Sequence, residues 1–413
     1  MGNCMNILKE RGFFQQCTDE ENLAKLLDGK QVVFYCGFDP TNFSLHVGSL
    51  VPMMAMAHLQ RMGHKPVVLV GGGTAMIGDP SGKTEARKML TVEQIDANVL
   101  TIKEQLEKFI VIDGTKGILV NNADWLRDIN YLNFLRDIGK HFSVNRMLTF
   151  ETYKEKMKNG LSFLEFNYIL LQSYDFLELY RKYDCILQVG GDDQWANMVS
   201  GVELIRRVEK STEVECLTFP LVLTSDGKKM GKTEKGAVFL SKDLTSPYEF
   251  YQYWVNVTDD DVLRFLKLYT FMPLEEIKKY ESLKFEELRE VKQILAFEVT
   301  KIVHGEEEAV KSREGARAAF GSGDNIDMMP STEMPYERFK QGIGVLDLFV
   351  ECGLSSSKGE VRRLIQQGGC RINEDKITDE KMIVTDKMAT DKGIILKSGK
   401  KKVHRIIITG NFC

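Results

Sequence analysis

Three stretches of the chain carry residues that could act on a phosphate-bearing substrate. The first is "FYCGFDPTNFSLHVGSLVPMM", Phe34 to Met54. An apolar run passes into Gly37, then Asp39-Pro40-Thr41, then His46-Val47-Gly48-Ser49 ahead of a second apolar series. A strand end that hands over to a helix N-terminus is where an open α/β sheet receives phosphate groups. Gly48 would let a phosphate or ribose come close to the first turn, and His46 could donate to a phosphate oxygen. The second stretch is "GDPSGKT", Gly78 to Thr84. A Walker A loop needs a glycine where Ile77 stands, and Pro80 removes an N–H from a loop whose work is to present N–H groups. A P-loop is therefore rejected, while Lys83 and Arg87 leave either a basic loop near phosphates or an ordinary surface loop. The third is "SDGKKMGKTEKG", Ser225 to Gly236, with Lys228, Lys229, Lys232 and Lys235 in glycine-rich surroundings. Such lysines can gather round a polyphosphate as point charges. Taken singly, each stretch has a plain explanation: a capped helix, a surface loop, a solvated charged loop.

The elements that must position these residues follow from period and punctuation. Strands are expected at Val32–Cys36, Val67–Gly71, Gly117–Asn121, Cys185–Val189 and Leu217–Leu223. Helices are expected at His46–Gly63, at Thr91–Ile110 with Thr91 and Gln94 as a capping box, at Ser162–Tyr183 and at Asn197–Val208. This alternation predicts an α/β, doubly wound, mostly parallel sheet over residues 1–225, with a connective insertion near 120–160. After Pro247 helical periods follow one another without strands, so residues 226–320 are expected to hold the lysine loop and an all-α domain. Clustered Gly, Ser, Asp and Pro over 321–341 predict a linker. Residues 342–413 are expected to form a small α+β domain. It would have helices near Val345–Cys352 and, opened by a serine cap, Ser355–Gln367. Strand-like "CRINEDKI" and "GIILKSGKKKVHRIII" would follow, the latter turning at Ser-Gly.

Composition narrows the function classes. With 413 residues, 43% hydrophobic and 28% charged, the chain is an ordinary globular protein of two or three domains. No apolar run reaches the roughly 20 residues of a membrane span, and the N-terminus lacks a signal peptide's apolar core, so no membrane role and no export are expected. The eight cysteines are scattered with no Cys-x-x-Cys pair, which fits a reduced, cytoplasmic setting. From Lys340 to Cys413 there are 14 basic and 9 acidic residues, against 41 and 50 in the remainder. A basic tail on an acidic body suits a polyanion, nucleic acid above all, or is a solvated face.

Together the three stretches resemble a known pair of signatures. His-x-Gly behind the first strand and Lys-Met-Gly-Lys-Thr behind the last resemble the HIGH and KMSKS motifs of class I aminoacyl-tRNA synthetases. "YCGFDPTNFSLHVGS", "IGDPSGKTEAR", "LRDIGKHFSVN", "YILLQSYDF", "VGGDDQWAN", "GKTEKGAVFL" and "SPYEFYQYW" are similar to the bacterial-type tyrosyl-tRNA synthetases. The resemblance continues into "LSSSKGEVRRLIQQGGCRIN", similar to a small RNA-binding fold shared with a ribosomal protein. It implies a Rossmann-like catalytic domain, an α-helical anticodon-binding domain and an RNA-binding tail. It also implies tyrosine–tRNA ligase activity: L-tyrosine is activated with ATP and passed to tRNA(Tyr), by a cytoplasmic homodimer. Magnesium is expected with ATP, no organic cofactor is needed, and no dedicated protein ligand set for a metal is visible.

By the same resemblance, Tyr35 and Asp175 hold the substrate's phenol hydroxyl, and Asp79, Tyr168 and Gln172 its ammonium. Tyr168, Gln172 and Asp175 are spaced four and three apart, so they share one face of the long helix. Gln194 contacts the reacting carboxylate. Cys36, Gly37 and Asp39 line the ATP side, Asp193 accepts from the ribose, and Gly191 gives backbone room. His46, Gly48 and Ser49 face phosphates and ribose, with Ser49 standing where the family usually has a second histidine. Lys83, Arg87, Lys229, Lys232 and Thr233 clamp the pyrophosphate. A carboxylate nucleophile is already ionised, so catalysis rests on positioning and charge stabilisation. A tryptophanyl-tRNA synthetase would have no use for Tyr35 with Asp175. A non-catalytic descendant would be expected to have lost part of the signatures. A nucleotidyltransferase sharing only the His-x-Gly start explains neither the helices nor the tail.

Overall fold

The computed structural model describes residues 3–81, 90–225, 227, 230–233, 236–284, 286–320, 330–373, 375–390, 393–399 and 402–410. It divides into two compact units: residues 1–246 with 253–303, and residues 247–252 with 304–413.

The first unit is built on a six-stranded sheet. Its strands are β1 (Gln16–Cys17), β2 (Val33–Phe38), β3 (Lys65–Val70), β4 (Ile118–Asn121), β5 (Leu187–Gly191) and β6 (Glu215–Phe219), in spatial order β1-β6-β5-β2-β3-β4. Every neighbouring pair is parallel except β1 with β6. The chain lays strands to one side of β2, then returns through a long helix to lay β5 on the other side. The carboxyl ends of β2 and β5 therefore flank the point where strand order reverses, the place such sheets offer to ligands.

Local sequence explains where elements start and stop. Thr91 and Gln94 form the expected capping box on the helix Val92–Leu106, and Ser162 with Glu165 forms another on the helix Phe163–Tyr183. The helix expected from His46 opens instead as a tight turn, Val47–Ser49, before Leu50–Arg61. The strand expected over Leu217–Leu223 lies earlier, at Glu215–Phe219. Pro220 has no N–H to continue a ladder. Asp184 in the left-handed conformation (φ 52°) ends the long helix, so β5 begins at Leu187 rather than Cys185. The core lies under the long helix and Trp195–Val208, with Phe176, Leu177, Leu179, Met198 and Ile205 fully buried. Each such side chain contributes about 1.5–3 kcal/mol. The insertion between β4 and the long helix consists of short helices, Ala123–Leu126, Tyr131–Asp137, Val144–Met147 and Glu151–Asn159.

Two expected boundaries move. Residues 226–320 are helical from Pro247 on, but they do not separate at 225, since 253–303 belong to the first unit. Arg11 donates to the carbonyls of Lys267 (3.1 Å), Thr270 (3.2 Å) and Met272 (2.8 Å). The Phe271 ring lies 5.1 Å from the His58 ring and 3.7 Å from the Arg61 guanidinium. These contacts bind the end of the helix Asp259–Tyr269 and the segment after it to the N-terminal helix Cys4–Arg11 and to the signature helix Leu50–Arg61. The linker expected over 321–341 is also revised where it is described. Ser331–Pro335 is a strand running parallel to Lys402–Thr409, and Tyr336–Gln341 is a helix. Prolines 330 and 335 bound that strand, which sits at the sheet edge where proline is tolerated. Met334 and Phe339 enter the tail's own core.

In the second unit, the tail has a five-stranded sheet. Its order is Asp375–Lys376, Cys370–Ile372, Ile394–Ser398, Lys402–Thr409, Ser331–Pro335. The helices Val345–Glu351 and Lys358–Gln366 pack on it. Ser357, not Ser355, caps the second helix, its side chain accepting from the Glu360 N–H.

Candidate active site

The site residues converge on the carboxyl edge of the sheet. Tyr35, Cys36 and Gly37 lie in β2 and Asp39 just beyond it. Gly71 to Thr74 follow β3, Asn122 follows β4, and Asp192 to Gln194 form a tight turn after β5. The long helix supplies Tyr168, Gln172 and Asp175.

Asp175 is 1% exposed, and each of its oxygens accepts one hydrogen bond. Oδ1 accepts from Trp125 Nε1 at 2.7 Å and Oδ2 from Asn122 Nδ2 at 2.9 Å. A carboxylate offers about four lone-pair sites, so room for further donors remains. Burial raises this carboxyl and the two donors pull against it, leaving it at about 8. The Tyr35 hydroxyl is buried with no hydrogen-bond partner among the described residues, and burial and then Asp175 raise its pKa. An orphaned buried hydroxyl costs about 1–3 kcal/mol. Beside a doubly held carboxylate, it marks a place made for a third polar group.

A second network links the remaining positions. Asp39 accepts from Thr74 Oγ1 at 2.7 Å and from Tyr168 Oη at 2.9 Å. Asp39, expected on the nucleotide side, is thereby joined to the residues expected round the amino acid. Gly71 permits this pair, since a Cβ there would lie 2.0 Å from Asp39 Oδ1 and 2.5 Å from Thr74 Oγ1. Asp79 accepts from the Ser81 N–H at 2.8 Å and from Gln194 Nε2 at 2.7 Å. Asn197 Nδ2 donates to Gln172 at 3.0 Å and Gln194 at 3.2 Å. The paired aspartates after β5 divide their work. Asp192 accepts from Gln16 at 2.7 Å and Thr218 at 2.8 Å, which ties the turn to the sheet. Asp193 has its carboxyl raised by burial and then by Asp79. Burial pushes the Cys36 thiol up to about 12, so it stays neutral.

His46 accepts from the Gly48 N–H through Nδ1 at 3.0 Å. In the neutral ring the proton then sits on Nε2, making that nitrogen a donor. The histidine and lysine segments meet through backbone: Val47 N–H donates to the Val238 carbonyl at 2.9 Å and Leu240 N–H to that of Leu45 at 2.9 Å. Lys232–Thr233 pairs with Gly236–Ala237 as a short hairpin. Lys83, Arg87, Lys228, Lys229 and Lys235 lie outside the described residues. Ser49 precedes the signature helix without capping it through its side chain. Several residues of the networks escaped the sequence reading, among them Thr74, Asn122, Trp125 and Asn197 and, tying the turn to the sheet, Gln16, Asp192 and Thr218. The polar "NNADW" directly after β4 was the available signal for two of them.

The profile described as tRNA synthetases class I (W and Y) matches residues 27–321, and that of the tyrosine--tRNA ligase SYY-like C-terminal domain matches 322–406. A tyrosine--tRNA ligase of Treponema denticola is 55% identical over 99% of this chain and 100% of its own. The chain belongs to the tyrosine–tRNA ligase family. Another such ligase, from Acetivibrio thermocellus, is 53% identical over 98% of this chain and 99% of its own. Among solved structures, a C-terminally truncated mitochondrial tyrosyl-tRNA synthetase of Aspergillus nidulans superposes with a TM-score of 0.69 at 32% identity, covering 78% of this chain and 95% of its own. The class I fold and the ligase assignment expected from the signatures are thus borne out. Among the described residues, no helix is long and apolar enough to cross a membrane.

Proposed function

We propose that this tyrosine–tRNA ligase seats the phenol of L-tyrosine between Tyr35 and Asp175 and its ammonium among Asp79, Tyr168 and Gln172. The observation that carries this reading is the buried pair itself: a partnerless hydroxyl on Tyr35 beside a carboxylate held by Asn122 and Trp125. A substrate hydroxyl serves both groups, whereas phenylalanine leaves the Tyr35 hydroxyl buried and unpaired and Asp175 without a third partner. The tyrosine carboxylate then attacks the α-phosphorus of ATP in line. The new bond is carboxylate oxygen to phosphorus, the bond broken joins the α-phosphorus to the bridging oxygen, and pyrophosphate leaves with the electron pair. Gln194 orients the carboxylate, Asp193 accepts from the ribose, and Cys36, Gly37, Gly191 and Ser49 line the nucleotide. Asp39 fixes Tyr168 beneath them.

The Nε2–H of His46 meets charge growing on the phosphates, while Lys83, Arg87, Lys229, Lys232 and Thr233 hold the departing pyrophosphate. Attack by the terminal ribose hydroxyl of tRNA(Tyr) on the mixed anhydride releases AMP and leaves tyrosine on the tRNA. Magnesium belongs to this reading as an ion carried by ATP's phosphates. Helices after Pro247 would read the anticodon and the tail would grip RNA, in a cytoplasmic homodimer. Exposed Tyr131, Leu132 and Phe163 support an apolar contact between copies, and light scattering tests it as a mass twice the 47.1 kDa chain. The test of the whole reading is tyrosine-dependent ATP–pyrophosphate exchange. Exchange driven by tyrosine and not by phenylalanine or tryptophan is expected; exchange that ignores the phenol hydroxyl overturns it.

A further inference from the structure

The segment bearing Lys232 is pinned at two points by residues far along the chain. Upstream, the Ser225 N–H donates to Asp261 Oδ2 at 2.8 Å, a carboxylate 2% exposed that also accepts from Thr258 at 2.8 Å and Arg264 at 2.6 Å. Downstream, Gly231 is held on both sides. Its carbonyl accepts from the Val238 N–H at 2.7 Å, and the Val238 carbonyl accepts from Val47, next to His46. Its own N–H donates to the Tyr253 hydroxyl at 3.0 Å, which lies 3.6 Å from the Met230 sulfur. Tyr253 sits on the helix Pro247–Val255, its ring edge-to-face with Trp254 at 5.3 Å. Gly231 also packs so tightly that a Cβ on it would come within 3.0 Å of Val47 Cβ and 3.4 Å of the Gly48 nitrogen, at a φ of +76°. The hydroxyl of Tyr253 thus begins a chain of hydrogen bonds that runs through Gly231 and Val238 to the turn carrying His46.

We propose that Tyr253 is a positioning residue for adenylate formation: by holding the Gly231 amide it sets the register of the lysine segment against the histidine segment. It touches neither substrate nor reacting atoms. The inference rests on reading both segments as a phosphate clamp. A clamp that acts on charge developing in the transition state is sensitive to small displacements, and such losses fall on rate rather than on ground-state binding.

Tyr253→Phe in the full chain tests it, because the variant keeps the ring and its Trp254 contact and removes only the hydroxyl. One neutral hydrogen bond is worth about 1 kcal/mol. The single-turnover rate of adenylate formation is therefore expected to fall about fivefold, with the KM for tyrosine unchanged and the melting temperature lowered by no more than a few degrees. An unchanged rate overturns the proposal. So does a fall matched by an equal rise in the KM for tyrosine, the mark of general loosening. If the unaltered protein shows no tyrosine-dependent exchange, the reading of the site fails; if it exchanges normally and Tyr253→Phe equals it, only the positioning role fails.

Discussion

Asp175 shows how far one side chain depends on its neighbours. Its spacing from Tyr168 and Gln172 was readable along the helix, but the donors that hold it were not. Asn122 and Trp125 stand some fifty positions away in sequence and meet it only because β4 ends beside the long helix. Removing one donor should weaken the acceptor that the phenol needs. Asn122→Ala is expected to weaken tyrosine binding by about 1 kcal/mol, the scale of one hydrogen bond, and to leave the KM for ATP unchanged. Equilibrium binding of tyrosine and phenylalanine checks this, and the gap between the two ligands should narrow. The acidity of Asp175 gives a second expectation. A carboxyl raised from 3.8 to about 8 by burial keeps its proton in the fold where the unfolded chain has lost it. Its contribution to stability is then fully present below about pH 4 and lost as pH rises through about 8. Asp175→Asn should therefore raise the melting temperature of the ligand-free protein at pH 9 and change it little at pH 4, while tyrosine-dependent exchange collapses. Thermal melts across that range decide it.

Elements were legible where a local signal fixes them. A capping box marked Thr91, and continuous apolar runs marked β2 and β3, because these depend on neighbouring residues alone. The misses are elements defined by a distant partner. β1 has only two residues and owes its existence to β6, two hundred positions on. Ser331–Pro335 has a linker's composition yet completes a sheet edge. The lysine loop was recognisable as a motif, but no local pattern could say that Tyr253 or Asp261 would hold it. The turn after β3 supplies this scale's prediction. Gly71→Ala places a methyl 2.0 Å from Asp39 Oδ1, so either the backbone or the Asp39–Thr74 bond must yield. A stability loss of about 1–3 kcal/mol by denaturant unfolding is expected, as for overpacking elsewhere. Adenylate formation should fall with it, because Tyr168 loses its fixed partner.

The whole molecule divides its tasks unevenly along the chain. The catalytic sheet and residues 253–303 form one unit, while the tail builds a separate core from Phe339, Leu348, Phe349, Val361, Ile394 and Ile406. With its basic excess, that tail should contribute salt-dependent affinity for RNA. A chain ending at Phe320 is expected to retain tyrosine-dependent exchange at close to the full rate while aminoacylation of tRNA drops tenfold or more; assays at two salt concentrations check it. The cut belongs there and not at 341, because Ser331–Pro335 is integral to the tail's sheet. That pairing also sets a timetable. Ser331–Pro335 leaves the ribosome early, but its partner Lys402–Thr409 emerges roughly seventy residues later. At about 5–20 residues per second, the first strand waits on the order of ten seconds with its hydrogen-bonding edge bare. Closure of the tail's sheet therefore waits on the synthesis of Lys402–Thr409. A chain interrupted before Lys402 would carry Ser331–Pro335 without the neighbour that pairs it, leaving the catalytic body joined to a tail that cannot close.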